Sequence, residues 1–219
     1  MLNLTRNDGS QRLGGITTTL PEGLLGKLAG VPYCSDAQIA QAMSRSREGE
    51  GALEQSSPSC PAASEVGTVN IAAGAGSSPT YVQGKAYLAG PYKNAPLSLA
   101  IITPAIAGPF DLGTVVVRAG LYIDPNTAQI TAVSDSIPTI LDGIPLNVRS
   151  ISLDMNRAGL TFNPTSCEVM SVTGQETSTT GQTTGLSSRF QAGGCQGLPF
   201  KPSLTASTQG KQAKPVERA

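Results

Sequence analysis

The sequence predicts an all-β protein, a β-sandwich of short and mostly antiparallel strands with a small N-terminal helical cap. Its 219 residues include 25 glycines and 16 prolines, which predict many turns. Aromatic residues make up only 4% and charged residues 14% of the chain. Serine and threonine are frequent, as is typical of strands with one polar face. We expect one β-rich module over residues 1–208 and a polar, disordered tail over residues 209–219.

The N-terminal region predicts one strand and then the helical cap, at about residues 22–45. Three threonines at residues 17–19 favour a strand that ends at Pro21. Leucines at helical spacing predict a short helix that ends at Gly30. Residues 35–38, Ser-Asp-Ala-Gln, have the form of a capping box and therefore begin a second helix.

The second helix is expected to end at about Ser44, before a polar segment. That segment, residues 46–59, is rich in glycine, serine and charged side chains. We predict that it forms a mobile loop.

After Cys60 the sequence changes to short apolar segments separated by turn residues. One of them, residues 97–103, is almost wholly apolar and predicts a central strand covered on both faces. Residues 125–127, Pro-Asn-Thr, predict a hairpin turn. The strands predicted between Cys60 and this turn, and directly after it, are Glu65–Ala72, Thr80–Leu88, Leu97–Thr103, Thr114–Asp124 and Ala128–Ser134.

Side-chain alternation adds detail to two strands. In residues 114–124, Leu121 and Val116 fall on opposite faces. In residues 145–155 the apolar side chains change parity part-way along. A β-bulge near Arg149-Ser150 would keep them on one buried face.

The C-terminal part predicts a second hairpin, with strands Glu168–Thr173 and Leu186–Gln191. Between them, residues 174–185 are almost entirely threonine, glutamine and glycine. We predict that these residues form a long, solvated hairpin tip.

Composition excludes several functional classes. The chain contains no histidine, so Ser-His-Asp and Cys-His catalysis and histidine-ligated metal sites are excluded. The net charge is zero, with 15 basic and 15 acidic residues, and a nucleic-acid partner would need a concentrated positive surface. No segment reaches the roughly 18 apolar residues of a membrane span. We predict no cofactor and no metal.

The four cysteines are Cys34, Cys60, Cys167 and Cys195. None belongs to a C-x-x-C pair, which argues against a four-cysteine zinc site and against a thioredoxin-type redox centre. Four cysteines permit three pairings, and the simplest joins Cys34 to Cys60 and Cys167 to Cys195. Disulfides indicate an oxidising compartment. The alternative is a cytosolic protein with four buried thiols.

No catalytic residues are predicted. Asp124, Asp135, Asp142 and Asp154 lie near strand ends or turns, and nothing in the sequence selects a pair suited to glycoside hydrolysis; we expect turn-forming roles. Two tyrosines, Tyr87 and Tyr92, flank Gly90-Pro91 and are the candidate contacts for a glycan. Packing in the core is the favoured alternative for both.

Five segments of the chain resemble a module of large secreted or cell-surface proteins of Gram-positive, actinobacterial type, to which no activity is assigned. The segments are LPEGLLGKLAGVPYCSDAQI (20–39), CPAASEVGTV (60–69), YLAGPYKNAPLSLAIITPAIAGPFDLGTVVVRAGLYIDPNTAQI (87–130), SDSIPTILDGIPLNVRSI (134–151) and LTFNPTSCEVMSVTG (160–174). The resemblance implies an extracellular β-rich module within a longer chain, with neighbouring modules as partners and with Cys34 paired to Cys60.

Two segments of the chain depart from this resemblance. Residues 45–59 look inserted, and residues 211–219 do not look like the module's continuation. The chain also begins without the basic and apolar segments of a signal peptide. We therefore expect a fragment of a longer secreted protein.

These observations predict a non-enzymatic structural or adhesive module of a bacterial surface protein. The alternative is a module that binds carbohydrate, such as cell-wall glycan. The absence of tryptophan counts against that alternative, because tryptophan is the commonest large stacking surface for sugars. A hydrolase is the least favoured class, since the sequence offers neither histidine nor an identifiable acid pair.

Overall fold

The computed structural model describes residues 1–199 and 201–206, and the tail predicted over residues 209–219 lies outside them. The predicted all-β class with a small helical part is confirmed. In the described residues the elements are β1 (Leu2–Thr5), β2 (Leu13–Thr19), β3 (Leu25–Gly26), α1 (Asp36–Ser44), α2 (Gly51–Ser56), β4 (Glu65–Ala73), β5 (Thr80–Ala89), β6 (Leu97–Ala107), β7 (Phe110–Ile123), β8 (Ile130–Ser134), β9 (Ile140–Leu141), β10 (Ile144–Pro145), β11 (Val148–Asp154), β12 (Thr161–Phe162), β13 (Met170–Ser178) and β14 (Thr183–Phe190).

Ten of these strands form one sheet, in the order β1-β11-β4-β5-β6-β7-β8-β2-β13-β14. All of its ladders are antiparallel. The strand predicted to be central, residues 97–103, lies in β6 near the middle of this order. Neither helix of the described residues has the length and apolar character that a membrane crossing requires.

The sheet is folded over so that its two halves face each other. Flat, it would place β1 and β2 about 34 Å apart, seven spacings of ~4.8 Å, whereas the residues joining them reach about 29 Å at most. Along this connection Asp8 accepts a hydrogen bond from the amide of Gly76, beside β4, at 2.6 Å. Three residues later Gln11 donates to Gln182, beside β14, at 2.8 Å. The strands thus form two facing layers, the arrangement of a sandwich.

The two faces of the sheet bury different apolar clusters. The inner face buries Val66, Ala86, Leu88, Leu99 and Leu160, with Leu28 and Leu121 among the side chains packed against them. The outer face is covered at its centre by the helices: Ile39 and Ala42 of α1 pack on Tyr87, Ala100 and Ile102, with Val116 beside them. The prediction that Leu121 and Val116 lie on opposite faces of the strand is confirmed.

Two locally encoded features match the sequence analysis. Helix α1 begins at the predicted capping box, in which Ser35 and Gln38 satisfy each other's backbone amides. The pairing of β11 with β4 shifts register between Val148 and Ser150, where the bulge was predicted. The shift keeps Leu153 packed against the inner cluster.

The predicted helix that ends at Gly30 is wrong. Residues 25–26 form β3, which pairs with β12, and the amide of Lys27 donates to the carbonyl of Leu160 at 2.6 Å. Gly23, with φ of 80°, adopts the left-handed conformation that breaks a helix. Long-range pairing therefore overrides the helical spacing of the leucines.

The predicted mobile loop at residues 46–59 is also wrong, because it contains α2. The side chain of its N-cap residue, Glu50, makes no capping hydrogen bond to the first turn. Instead the carboxylate of Asp111 accepts from the amides of Gly51 and Ala52, at 3.0 and 2.7 Å. The signal for this helix lies outside the segment itself.

The predicted hairpin tip at residues 174–185 is too long. Strand β13 continues to Ser178 and β14 begins at Thr183, so the tip is residues 179–182. β13 pairs with β14 on one side and with β2 on the other. Two neighbours hold its polar, threonine-rich residues extended.

We expect Glu176→Gln to remove a pH dependence of stability. Glu176 lies on the inner face of β13, where burial raises the pKa of its carboxyl, while Arg6 from the far edge of the sheet acts in the opposite direction. The neutral carboxyl is favoured in the fold, so its stabilisation is present below the unfolded pKa of about 4.5 and is lost as pH rises through the higher folded pKa. Urea denaturation between pH 4 and 7 measures this.

The control is Glu168→Gln, at an exposed position. Relative to the unmodified chain, the Glu176 variant gains stability as pH rises, whereas the control does not. Parallel pH profiles for the Glu176 variant and the unmodified chain would show that Glu176 is not enclosed by the folded-over sheet.

Candidate functional site

Tyr87, predicted as a candidate glycan contact, is only 2% exposed. It packs on the outer face beneath α1, in the cluster that holds Cys34 and Cys60. Burial raises the pKa of its hydroxyl. The helical cap covers the part of the sheet from which Tyr87 projects, which agrees with the alternative of core packing, and Tyr87 also lines a cleft beside α2. A glycan contact at Tyr87 stays a prediction.

Tyr92 is engaged by protein groups. Its hydroxyl donates to Asp135 at 2.6 Å, and this hydrogen bond raises the pKa of Tyr92. The guanidinium of Arg118 lies 4.0 Å from the ring centroid. Arg118 in turn pairs with Asp36, the first residue of α1, at 2.9 Å. Arg118 of β7 therefore links α1 to the sheet, and it covers a face of the Tyr92 ring.

The four cysteines form two disulfides, Cys34–Cys60 and Cys167–Cys195. This is the simplest of the three pairings. The Cα atoms lie 5.2 Å apart in the first and 5.9 Å apart in the second. The first bridge is buried within the outer cluster beneath α1, and the second is half-buried beside the β13–β14 hairpin.

Two of the four predicted aspartates, Asp124 and Asp135, hold neighbouring groups of the protein. Asp124 accepts from the amides of Asn126 and Thr127, at 2.8 and 2.9 Å, and these hydrogen bonds lower its pKa. Asp135 holds Tyr92 and Lys93. In residues 1–199 and 201–206, no three acidic or cysteine side chains gather as a metal site would require.

A polar cleft of about 390 Å³ lies on the outer face, between α2 and the neighbouring strands. The sequence analysis did not identify it. Its floor is formed by side chains of β11, β4 and β5, and one wall by α2 and the residues after it. The polar residues of the floor are Ser152, Thr68, Asn70, Gln83 and Lys85; those of the wall are Glu54 and Gln55, with the apolar Pro58 beside them.

Strand register builds the floor. Ser152 is paired with Asn70, and Asn70 with Gln83, so three polar side chains form a row across three strands. In the next row Thr68 is paired with Lys85. Paired residues project to the same face with side chains ~5 Å apart. Among the described residues, the side-chain amides of Asn70 and Gln83 have no hydrogen-bond partner.

The wall of the cleft is held by a buried ion pair. Glu54 of α2 is 3% exposed and accepts from Arg45 at 2.5 Å. The amide and the hydroxyl of Ser59 donate to the same carboxylate, at 2.8 and 2.6 Å. Glu54 is thus fully engaged in positioning α2.

Comparisons of the chain with known protein families, with curated proteins and with solved structures find no match. The resemblance to modules of actinobacterial surface proteins stays a prediction.

The cleft is polar without carrying an unpaired charge. Lys85 lies 2.9 Å from the carboxylate of Glu65, and Glu54 is neutralised by Arg45. Tyr81, two residues before Gln83 on the same face of β5, is 62% exposed. The alternation Tyr-Val-Gln-Gly-Lys in β5 is the sequence signal for this row, but it does not say which face the helices leave open.

Proposed function

We propose that the chain is a non-enzymatic structural or adhesive module of a larger extracellular protein, as its resemblance to bacterial surface modules implies. The fold supports this function with a rigid two-layered scaffold. Neighbouring modules of the parent chain are its expected partners.

The observation that carries the proposal is the pair of disulfides. All four cysteines are bonded, and such bonds form and persist in oxidising compartments. Each bridge fixes one excursion of the chain: Cys34–Cys60 anchors the helical segment to the sheet, and Cys167–Cys195 closes the base of the last hairpin.

The acidic side chains support a structural role. Asp111 caps α2, Asp124 forms a turn, Asp135 holds Tyr92, and Glu54 positions the cleft wall. A glycoside hydrolase needs two carboxyl groups facing one substrate, one of them with a raised pKa. These four carboxylates are instead committed to backbone amides, hydroxyls and cations of the protein.

Counting thiols in the secreted chain tests the proposal. Protein exported from cells and denatured in a thiol reagent should show no free thiol before reduction and four after it, since the chain has four cysteines. The oxidised chain should resist an extracellular protease that digests the reduced and alkylated control. Four free thiols in the exported protein would contradict an extracellular module.

A second candidate function, carbohydrate binding, is favoured by one observation. The polar cleft presents uncommitted amides next to an exposed tyrosine, a combination suited to polyhydroxylated ligands.

A further inference from the structure

We propose that the polar cleft beside α2 binds a short segment of a neutral oligosaccharide. This inference rests on the proposed extracellular adhesive role and deepens it by assigning the contact site and the ligand class. Four features support it: the hydrogen-bonding groups of the cleft floor, the exposed ring of Tyr81 two residues from Gln83 on the same face of β5, the balanced charge of the cleft and its fixed wall.

The hydrogen-bonding groups of the floor match sugar hydroxyls. A side-chain amide both donates and accepts, and so does a hydroxyl. Asn70 and Gln83 stand side by side on adjacent strands, with Ser152 on the far side of Asn70. Both amides are exposed and without protein partners among the described residues, so a ligand would displace water there and not a hydrogen bond within the protein.

Tyr81 supplies the apolar complement. Its ring projects from the same face of β5, and its side chain is 62% exposed. A pyranose ring has an apolar C–H face, which packs on an aromatic ring while its hydroxyls reach neighbouring polar groups. Pro58 and Pro104 add apolar surface to the cleft lining.

The charge balance selects a neutral ligand. Three cations lie at the cleft or beside it, and each has an acidic partner. Lys85 pairs with Glu65 at 2.9 Å, Arg45 with Glu54 at 2.5 Å, and the amino group of Met1 with Asp154 at 3.8 Å. A phosphorylated or carboxylated chain would need a cation without a partner. An uncharged glycan needs only donors and acceptors, which the floor provides.

The wall makes the site preformed. α2 is fixed from both ends, by Asp111 at its first residues and by the contacts of Glu54 with Arg45 and Ser59. A preformed cleft loses little conformational entropy when it binds. The sheet floor is equally fixed, since β4 lies between two strands.

Titration of the oxidised full chain with neutral oligosaccharides tests the proposal. The probes are maltohexaose, cellohexaose and mannohexaose, with hexagalacturonate as the acidic counterpart. The chain has five tyrosines and no tryptophan, so the emission is that of tyrosine, and the part of its change that Tyr81→Ala removes is assigned to Tyr81. Calorimetry gives the affinity. We expect saturable binding of at least one neutral hexasaccharide and none of the acidic one.

Variants locate the site. We expect the double change Asn70→Ala with Gln83→Ala to weaken binding at least about tenfold, since each lost hydrogen bond costs a factor of a few. Tyr81→Ala should weaken it by a similar factor and abolish the change in emission. Matched controls are Gln175→Ala, on the same face of the sheet in β13, and Tyr33→Ala, at another exposed tyrosine; both should change affinity less than twofold.

The outcomes separate this inference from the function on which it rests. No binding of any neutral hexasaccharide by a chain with both disulfides intact overturns the glycan site and leaves the structural module standing. Binding of the acidic probe alone, or binding that the floor variants and controls weaken equally, also overturns it. Free thiols in the exported chain would instead contradict the extracellular role. All variants change exposed residues, and circular dichroism with a thiol count verifies that each is folded.

Discussion

Replacing both Cys34 and Cys60 by alanine is expected to lower the free energy of unfolding by about 3.5 kcal/mol or more. The bridge closes a loop of 26 residues, for which the loss of loop-closure entropy in the unfolded chain is worth about 3.5 kcal/mol. Packing adds to this value, since the two residues are 1% and 2% exposed and lie in the cluster between α1 and the sheet. Removing the sulfur atoms leaves a cavity there.

The matched control is the other bridge, Cys167–Cys195, replaced in the same way. Its loop of 28 residues gives nearly the same entropy, but both cysteines are half-buried, so the packing loss is smaller. Urea denaturation of the oxidised proteins measures both. We expect the first pair of changes to cost more than the second. A loss below about 1 kcal/mol for the first pair would contradict the role of that bridge in anchoring the cap.

The parts of the fold that the sequence predicted are those with local signals. The capping box of α1 involves Ser35 and Gln38, which are three residues apart. The bulge at Arg149-Ser150 follows from a change of parity within a single strand. The strands from Glu65 to Ser134 are neighbours in both sequence and sheet, so turn residues and alternation suffice to predict them.

The parts that the sequence did not predict depend on residues far away. Helix α2 is capped by Asp111, about 60 positions further along the chain, and a six-residue helix has little stability of its own. Strand β2 lies between β8 and β13, an order that no local pattern encodes. The same holds for β3, which exists because β12 pairs with it.

The candidate site escaped prediction for the same reason. Asn70 and Ser152 become neighbours only through the register of β4 and β11. The choice among the tyrosines depended on which part of the outer face the helices cover: they bury Tyr87 and leave Tyr81, on the same strand and the same face, exposed. Side-chain alternation predicts which residues of a strand share a face of the sheet, but not which of them the helices cover.

Replacing Glu54 by glutamine is expected to lower the free energy of unfolding by about 3 kcal/mol. The change removes one charge of a buried ion pair and leaves Arg45 without its counter-ion, a loss that typically costs 3–5 kcal/mol. The side chain of Arg45 is only 12% exposed, so water compensates little. Glutamine preserves the size of the side chain, which confines the effect to charge and hydrogen bonding. Urea denaturation at neutral pH measures it.

Two further variants make the result interpretable. Glu48→Gln, at an exposed position in the same segment, should change stability by less than about 0.5 kcal/mol. Replacing the pair together, Arg45→Met with Glu54→Leu, should recover much of the loss, because an apolar pair of similar volume leaves no buried charge unpaired. Equal losses for the single and the paired replacement would show that hydrogen bonds to Ser59, rather than charge, hold the helix.

The paired replacement also links the scaffold to the cleft. Arg45→Met with Glu54→Leu retains a packed α2 but removes the charges behind the wall, while Asn70, Gln83 and Tyr81 stay in place. If the wall acts by shape, neutral hexasaccharides should bind this variant within about threefold of the unmodified chain. Glu54→Gln, which loosens α2, should bind them more weakly although its floor is unchanged. The opposite order would mean that the charge of Arg45 or a polar side chain at position 54 contributes to binding directly, because the carboxylate is absent from both variants and they differ in these two features.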